Sequence, residues 1–262
     1  EFLRQFETER LARSALLALE AIEFRDRQFF AAALKGRLQK VPNAVAVCPL
    51  GASGDSSAFL SYLMNDLPSD ARRPVLSLEL ALERGGPAGD GNARIVLWDD
   101  FCGRAGHTAT TLAQWLALPT LGGDEEILLD EKLVSKLNDE RAAAFMACYV
   151  AIAFALARPS GITTLREYAK RHELSRVEVL DAEVDLVETN RLLDTPHVVA
   201  DNDDRSALRS FLEERMRTEL APNVARAERA WTQKKLEERL LGYGGEAHLV
   251  VFSYNVPTVT LT

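Results

Sequence analysis

Cysteine is scarce in this chain: three of 262 residues, Cys48, Cys102 and Cys148, well separated along the sequence. So sparse and odd a set argues against a disulfide framework and fits a reducing compartment, so a cytoplasmic setting is expected. Only four histidines occur, none at ligand spacing from another and none paired with a cysteine, which disfavours a structural zinc site. Long hydrophobic runs are lacking too. The longest, 142–157, falls short of the ~20 apolar residues that a membrane span needs. No basic, then apolar, then small-residue leader opens the chain, so a signal peptide is not expected. The first residue is Glu1 rather than Met, as expected of a piece of a longer protein. Basic excess is absent: 31 Lys and Arg stand against 39 Asp and Glu, a net charge of −8, which disfavours indiscriminate binding to a nucleic-acid backbone.

What remains is ordinary globular stuff, 47% hydrophobic and 27% charged, which excludes collagen-like, low-complexity and wholly disordered chains. With neither repeat nor linker in evidence, the chain reads as one domain over 1–262. Within it, 1–40 carries N-terminal helices, 44–160 the core, and 161–262 further helices and a closing strand.

From 2 to 38 apolar residues recur at three- and four-residue steps, which predicts one long or two short amphipathic helices. Residues 44–50 (AVAVCPL) predict a strand buried on both faces. A glycine-serine loop follows over 51–57 (GASGDSS), then a helical run over 58–65 that Asp55, Ser56 or Ser57 would cap. Residues 74–82 read as another strand, 85–92 as a flexible connection, and 94–98 as a third strand ending in Asp99 and Asp100. A helix is predicted from Thr108 to about Leu118, and moderate helical character over 130–136. The run 142–157 is ambiguous between buried helix and buried strand, its centre favouring strand. Helices over 163–172, 206–220 and 224–241, an extended piece over 177–187 and a last strand over 247–254 complete the pattern. Strands alternating with helices predict an α/β fold with a parallel-rich open sheet flanked by helices.

The stretch with chemical content is 95–111, IVLWDDFCGRAGHTATT. An apolar strand ends in two carboxylates, then a glycine-containing loop runs into a helix opened by Thr108. In open α/β sheets ligands bind beyond the carboxyl ends of the strands, and a helix start offers backbone N–H groups to an anion. A sugar phosphate fits: hydroxyls donate to Asp99 and Asp100, while phosphate oxygens accept from the loop amides and Thr108, with Arg104 able to add a charged bond.

Three other readings compete. A Walker B acid would accompany G-x-x-x-x-G-K followed by Ser or Thr, and the chain has no such string. A dinucleotide-binding turn would show G-x-G-x-x-G after a strand, which is missing as well. A plain turn capped by two acids explains the pair but not the loop and Thr-led helix behind it. His107 reads as a solvated cap more readily than as a catalytic group. Arg209, Arg215, Arg217, Arg226 and Arg229 alternate with Glu, as a solvated helix face would.

The string WDDFCGRAGHT resembles the phosphoribosyl pyrophosphate (PRPP) loop of the type I phosphoribosyltransferases. More closely, the chain resembles the PRTase-CE family of bacterial conflict, or anti-phage, systems. That resemblance includes the leading helices with Phe6 and the run 16–24, the segment CPLGASGDSS, and the closing LGYGGEAHLVVFSYNVPTVTL. It implies a type I phosphoribosyltransferase sheet with N-terminal and C-terminal helical additions. It implies that Asp99 and Asp100 hold the ribose hydroxyls of PRPP. Gly103, Arg104, Ala105, Gly106, His107 and Thr108 would hold its 5′-phosphate, and Ser53, Gly54, Asp55 and Ser56 would approach the pyrophosphate. Asn255, Pro257 and Thr258 would border the site, and Mg²⁺ would bridge the pyrophosphate through ligand oxygens and water rather than through an assigned protein ligand.

Two departures from the family pattern stand out. The loop between Asp100 and Thr108 is one residue longer with Arg104-Ala105 in place of small residues, and Val256 and Val259 replace polar residues in the closing motif. The expected activity is transfer of phosphoribose to an acceptor with release of pyrophosphate. The alternative is a catalytically silent nucleotide or phosphosugar sensor in a defence complex. Partner proteins of a defence operon, or a second copy docking on the apolar face of 11–30, would fit either.

Overall fold

A computed structural model of the chain describes residues 6–51, 59–85, 94–121, 135–181, 199–226 and 250–252. The first elements are α1 (Glu9–Glu20), β1 (Glu23–Arg25), α2 (Arg27–Lys40), β2 (Ala44–Pro49), α3 (Leu60–Asp66) and α4 (Leu78–Gly85). They are followed by β3 (Arg94–Cys102), α5 (Gly106–Leu116), α6 (Asp139–Ala147), β4 (Tyr149–Ala157), α7 (Pro159–Arg171) and β5 (Val177–Val179). Last come α8 (Asn202–Arg226) and β6 (Val250–Phe252). The chain divides into two compact units, Glu1–Asp26 with Asp185–Thr262, and Arg27–Val184.

The first unit joins the two ends of the sequence. Thr8 caps α1 by accepting the Leu11 N–H, with Glu9 in the positive first turn. The helix buries Ala15 and Ala18 against Val199 and Leu208. Arg10 pairs with Asp201 and Asp204, and the Phe6 and Phe211 rings lie 5.0 Å apart. Strands β1 and β6 run parallel, with Phe24 opposite Val251.

The second unit holds the sheet. Its four strands lie in the order β2-β3-β4-β5, every pair parallel. Parallel neighbours need crossovers, so the strands carry apolar residues on both faces and helices cover them. Cys48, Ile95, Leu97, Ile152 and Phe154 meet Leu82, Leu112, Phe145, Leu165 and Tyr168 in one core. Val96, Trp98, Ala151 and Ala153 are buried as well, and α2 packs on β4 and on α3 with Phe30, Leu34 and Leu38 turned inward. Among the described residues no helix is long and apolar enough to cross a membrane.

The α/β class and the parallel sheet match expectation; several boundaries do not. Residues 74–82 are not a strand: only Val75 bridges to Val47, and the chain then enters α4. Leu76, Leu78, Leu80 and Leu82 alternate like a strand. The Ser77 hydroxyl accepts the Leu80 N–H, however, and the helix buries Leu78, Ala81 and Leu82 while leaving Leu80 exposed. Strand β3 runs through the acid pair to Cys102, because its ladder with β4 continues to Ala157. Helix α5 starts at Gly106, not Thr108.

The apolar run 142–157 is both things, helix α6 to Ala147 and strand β4 from Tyr149. The N-terminal helical pattern breaks into α1 and α2 around the short strand β1. Residues 206–220 belong to one helix, α8, that continues to Arg226 with no break at 221–223. The extended piece is β5 over Val177–Val179. Leu180 and Asp181 end that piece outside the strand, and Ser135 and Lys136 are not helical; 130–134, 182–187, 227–241 and the strand ends beyond 250–252 lie outside the described residues.

Candidate functional site

The site grows from a mismatch in strand length. The last β2–β3 partners are Pro49 and Trp98, and the Leu50 N–H donates to the Trp98 carbonyl at 2.9 Å. Beyond that bond, among the described residues, β3 keeps pairing with β4 alone for another stretch, Asp99 opposite Phe154 and Cys102 opposite Ala157. The acid pair therefore lies one step past the carboxyl end of β2. Gly51, the entry to the glycine-serine loop, follows at the same edge with φ 124°, a backbone conformation that glycine adopts without strain.

Asp99 and Asp100 are 6% and 7% exposed. Adjacent residues of a strand project to opposite faces, so Asp99 shares a face with Ile95 and Leu97, and Asp100 with Val96 and Trp98. The Asp99 carboxylate accepts the Asp100 N–H at 2.9 Å. A buried carboxylate is costly unless donors surround it, and this backbone N–H is one such donor.

After β3 the chain turns within three residues. The Ala105 N–H donates to Cys102 Sγ, and Ala105 takes φ 64° and ψ 0°, the left-handed conformation, at the start of α5. Burial, then the Asp99 charge, push the Cys102 thiol up to about 12, while the Ala105 N–H works the other way. Among the described residues no side chain caps α5, so its first N–H groups, at Gly106, His107 and Thr108, form an uncapped positive end. A Cβ on Gly106 would meet nothing within 4 Å. Thr108 and Thr111 are buried; Arg104 and His107 are exposed.

The structure thus brings Asp99, Asp100, Gly103, Arg104, Ala105, Gly106, His107 and Thr108 together along one strand, turn and helix start. Ser53, Gly54, Asp55 and Ser56, with Asn255, Pro257 and Thr258, lie outside the described residues. Two residues escaped the sequence reading. Arg158, only 7% exposed, precedes α7 and donates its backbone N–H to the Cys102 carbonyl at 2.9 Å. Gly161, in the first turn of α7, lies against Gly103 and Cys102. The available signal was a glycine just inside a helix that Pro159 opens, where glycine costs about 1 kcal/mol relative to alanine.

An acid pair at the carboxyl edge of a parallel sheet, followed at once by an uncapped helix start, is the kind of place where an open α/β sheet receives an anionic ligand. No curated protein and no solved structure matches the chain. The PRTase-CE family model does match, over residues 1–262. With that agreement across its whole length, the chain belongs to the PRTase-CE family.

Proposed function

We propose that this phosphoribosyltransferase-like domain binds PRPP with Mg²⁺ and transfers phosphoribose to an acceptor, releasing pyrophosphate. The observation that carries the reading is the juxtaposition of the twin acids of β3 with the uncapped start of α5. Asp99 and Asp100 accept the ribose hydroxyls, and the amides of 103–108 receive the 5′-phosphate. Carboxylate and phosphate oxygens suit a hard divalent cation, and Mg²⁺ would neutralise the departing pyrophosphate. The reaction breaks the anomeric C–O bond through an oxocarbenium-like state, so positioning of the ribose does most of the work. In keeping with the family, the domain serves as an effector in a bacterial anti-phage system, with partner proteins from the same operon. The three buried free thiols support a cytoplasmic setting.

A second reading, a silent phosphosugar or nucleotide sensor, draws on the bulkier Arg104-Ala105 turn with its left-handed Ala105. Calorimetry with PRPP and Mg²⁺, followed by a pyrophosphate assay with nucleobase and nucleic-acid pools, separates the two. Binding with pyrophosphate release supports the transferase, and binding without release the sensor. Absence of binding in the wild type, or binding unchanged in the double variant Asp99→Asn with Asp100→Asn, removes both.

A further inference from the structure

Two successive carbonyl groups of the turn after β3 face the start of α7. The Cys102 oxygen accepts the Arg158 N–H at 2.9 Å. The Gly103 oxygen lies against Gly161: a Cβ there would overlap it, and would sit 3.0 Å from the Gly103 carbonyl carbon and 3.2 Å from Cys102 Sγ. No peptide bond in the described residues is cis. In a planar trans peptide the N–H points opposite to the C=O. With both carbonyls turned onto α7, the N–H groups of Gly103 and Arg104 are aimed away from it. Helix α7 has no side-chain cap of its own, and carbonyl oxygens are what its positive end attracts.

We propose that Gly161 is a positioning residue for the 5′-phosphate of the pentose ligand. Its bare Cα admits the Gly103 carbonyl and so holds the Gly103 and Arg104 amides turned toward the anion. Any side chain at 161 pushes the carbonyl off α7 and rotates those amides out of line. This role rests on the function proposed above, and concerns the phosphate subsite alone.

The test uses two probes on the full chain, ribose 5-phosphate for the phosphate subsite and Mg²⁺-pyrophosphate for the opposite end of the site. Gly161→Ala should weaken ribose 5-phosphate by about tenfold to a hundredfold, the worth of one or two charge-assisted hydrogen bonds, and leave Mg²⁺-pyrophosphate unchanged. Gly36→Ala, where a Cβ meets nothing within 4 Å, should leave both unchanged. A folded Gly161→Ala that binds ribose 5-phosphate like the wild type, or loses both probes equally, overturns the proposal and leaves the functional reading standing. A wild type that binds neither probe overturns the functional reading itself, and this role with it.

Should Gly161→Ala not fold, Arg158→Pro and Arg158→Ala supply the comparison. Arg158 has φ −81°, which proline tolerates, so the proline variant differs from alanine chiefly in lacking the N–H that holds the Cys102 carbonyl. Weaker ribose 5-phosphate binding in the proline variant is the expected result, and equal binding in the two overturns the proposal.

Discussion

The carboxylate of Asp99 accepts the backbone N–H of Asp100 at 2.9 Å, inside a strand where both side chains are buried. The two acids are therefore not interchangeable. Asparagine at 99 keeps an oxygen for that N–H, whereas alanine strips a buried donor of it. Asp99→Ala should be less stable than Asp99→Asn by about 1–3 kcal/mol in urea titration, and on the proposed function both should lose ribose binding. Equal stabilities would show that the bond contributes nothing to the fold.

The thiols make a pH-dependent contribution. Burial first, and then the Glu79 charge, push Cys48 up to about 12 from a reference of 9.0. A thiol raised in this way adds stability that is complete below its unfolded pKa and is lost as pH climbs through the folded one. The urea midpoint should fall from about pH 9 toward about pH 12, and Cys48→Ala should flatten that fall. At pH 8 a charged disulfide reagent should find no fast thiol in the native protein, and Cys48, Cys102 and Cys148 after unfolding. A fast thiol in the native state would contradict their burial.

Two alanines adopt left-handed backbone with opposite expected outcomes. Ala117 closes α5 with φ 53° and is exposed, so Ala117→Gly should stabilise by about 0.5–1 kcal/mol. Ala105 has φ 64° but its methyl lies in the main core, so relief of strain there is offset by lost packing. Thermal melts of the two glycine variants should rank Ala117→Gly above the wild type and Ala105→Gly at or below it.

Tyr168 is wholly buried in α7, and its hydroxyl donates to the Pro119 carbonyl at 2.9 Å, tying the segment after α5 to the core. Tyr168→Phe should cost about 1 kcal/mol in denaturant titration without altering PRPP affinity. A variant that weakens PRPP instead would place this tie in the binding machinery.

Much of this was legible in residue order. The apolar strands at 44–50 and around 95 announce a parallel sheet, and the acid pair with its glycine turn marks the edge of that sheet where a strand gives way to a helix. Leu76, Leu78, Leu80 and Leu82 misled, because period-two spacing persists inside a helix that only Ser77 and tertiary packing reveal. The reach of β3 to Cys102 was also hidden, since two aspartates look like a strand end unless β4 is known to continue beside them. Gly161 was invisible for a third reason: its importance lies in what touches it, and that contact spans 58 positions of chain between Gly103 and Gly161.

The β1–β6 pairing matches residues 23–25 with 250–252, whereas the parallel sheet is complete within Arg27–Val184. A ribosome making this chain would release the whole sheet while the strand partner of β1 was still unsynthesised. Closing so large a loop is slow compared with local contacts, so the apolar face of α1 waits for Val199 and Leu208. The unit that holds the four-stranded sheet can thus mature first, and the terminal unit is the step at which synthesis, crowding or a chaperone would govern the yield of finished protein.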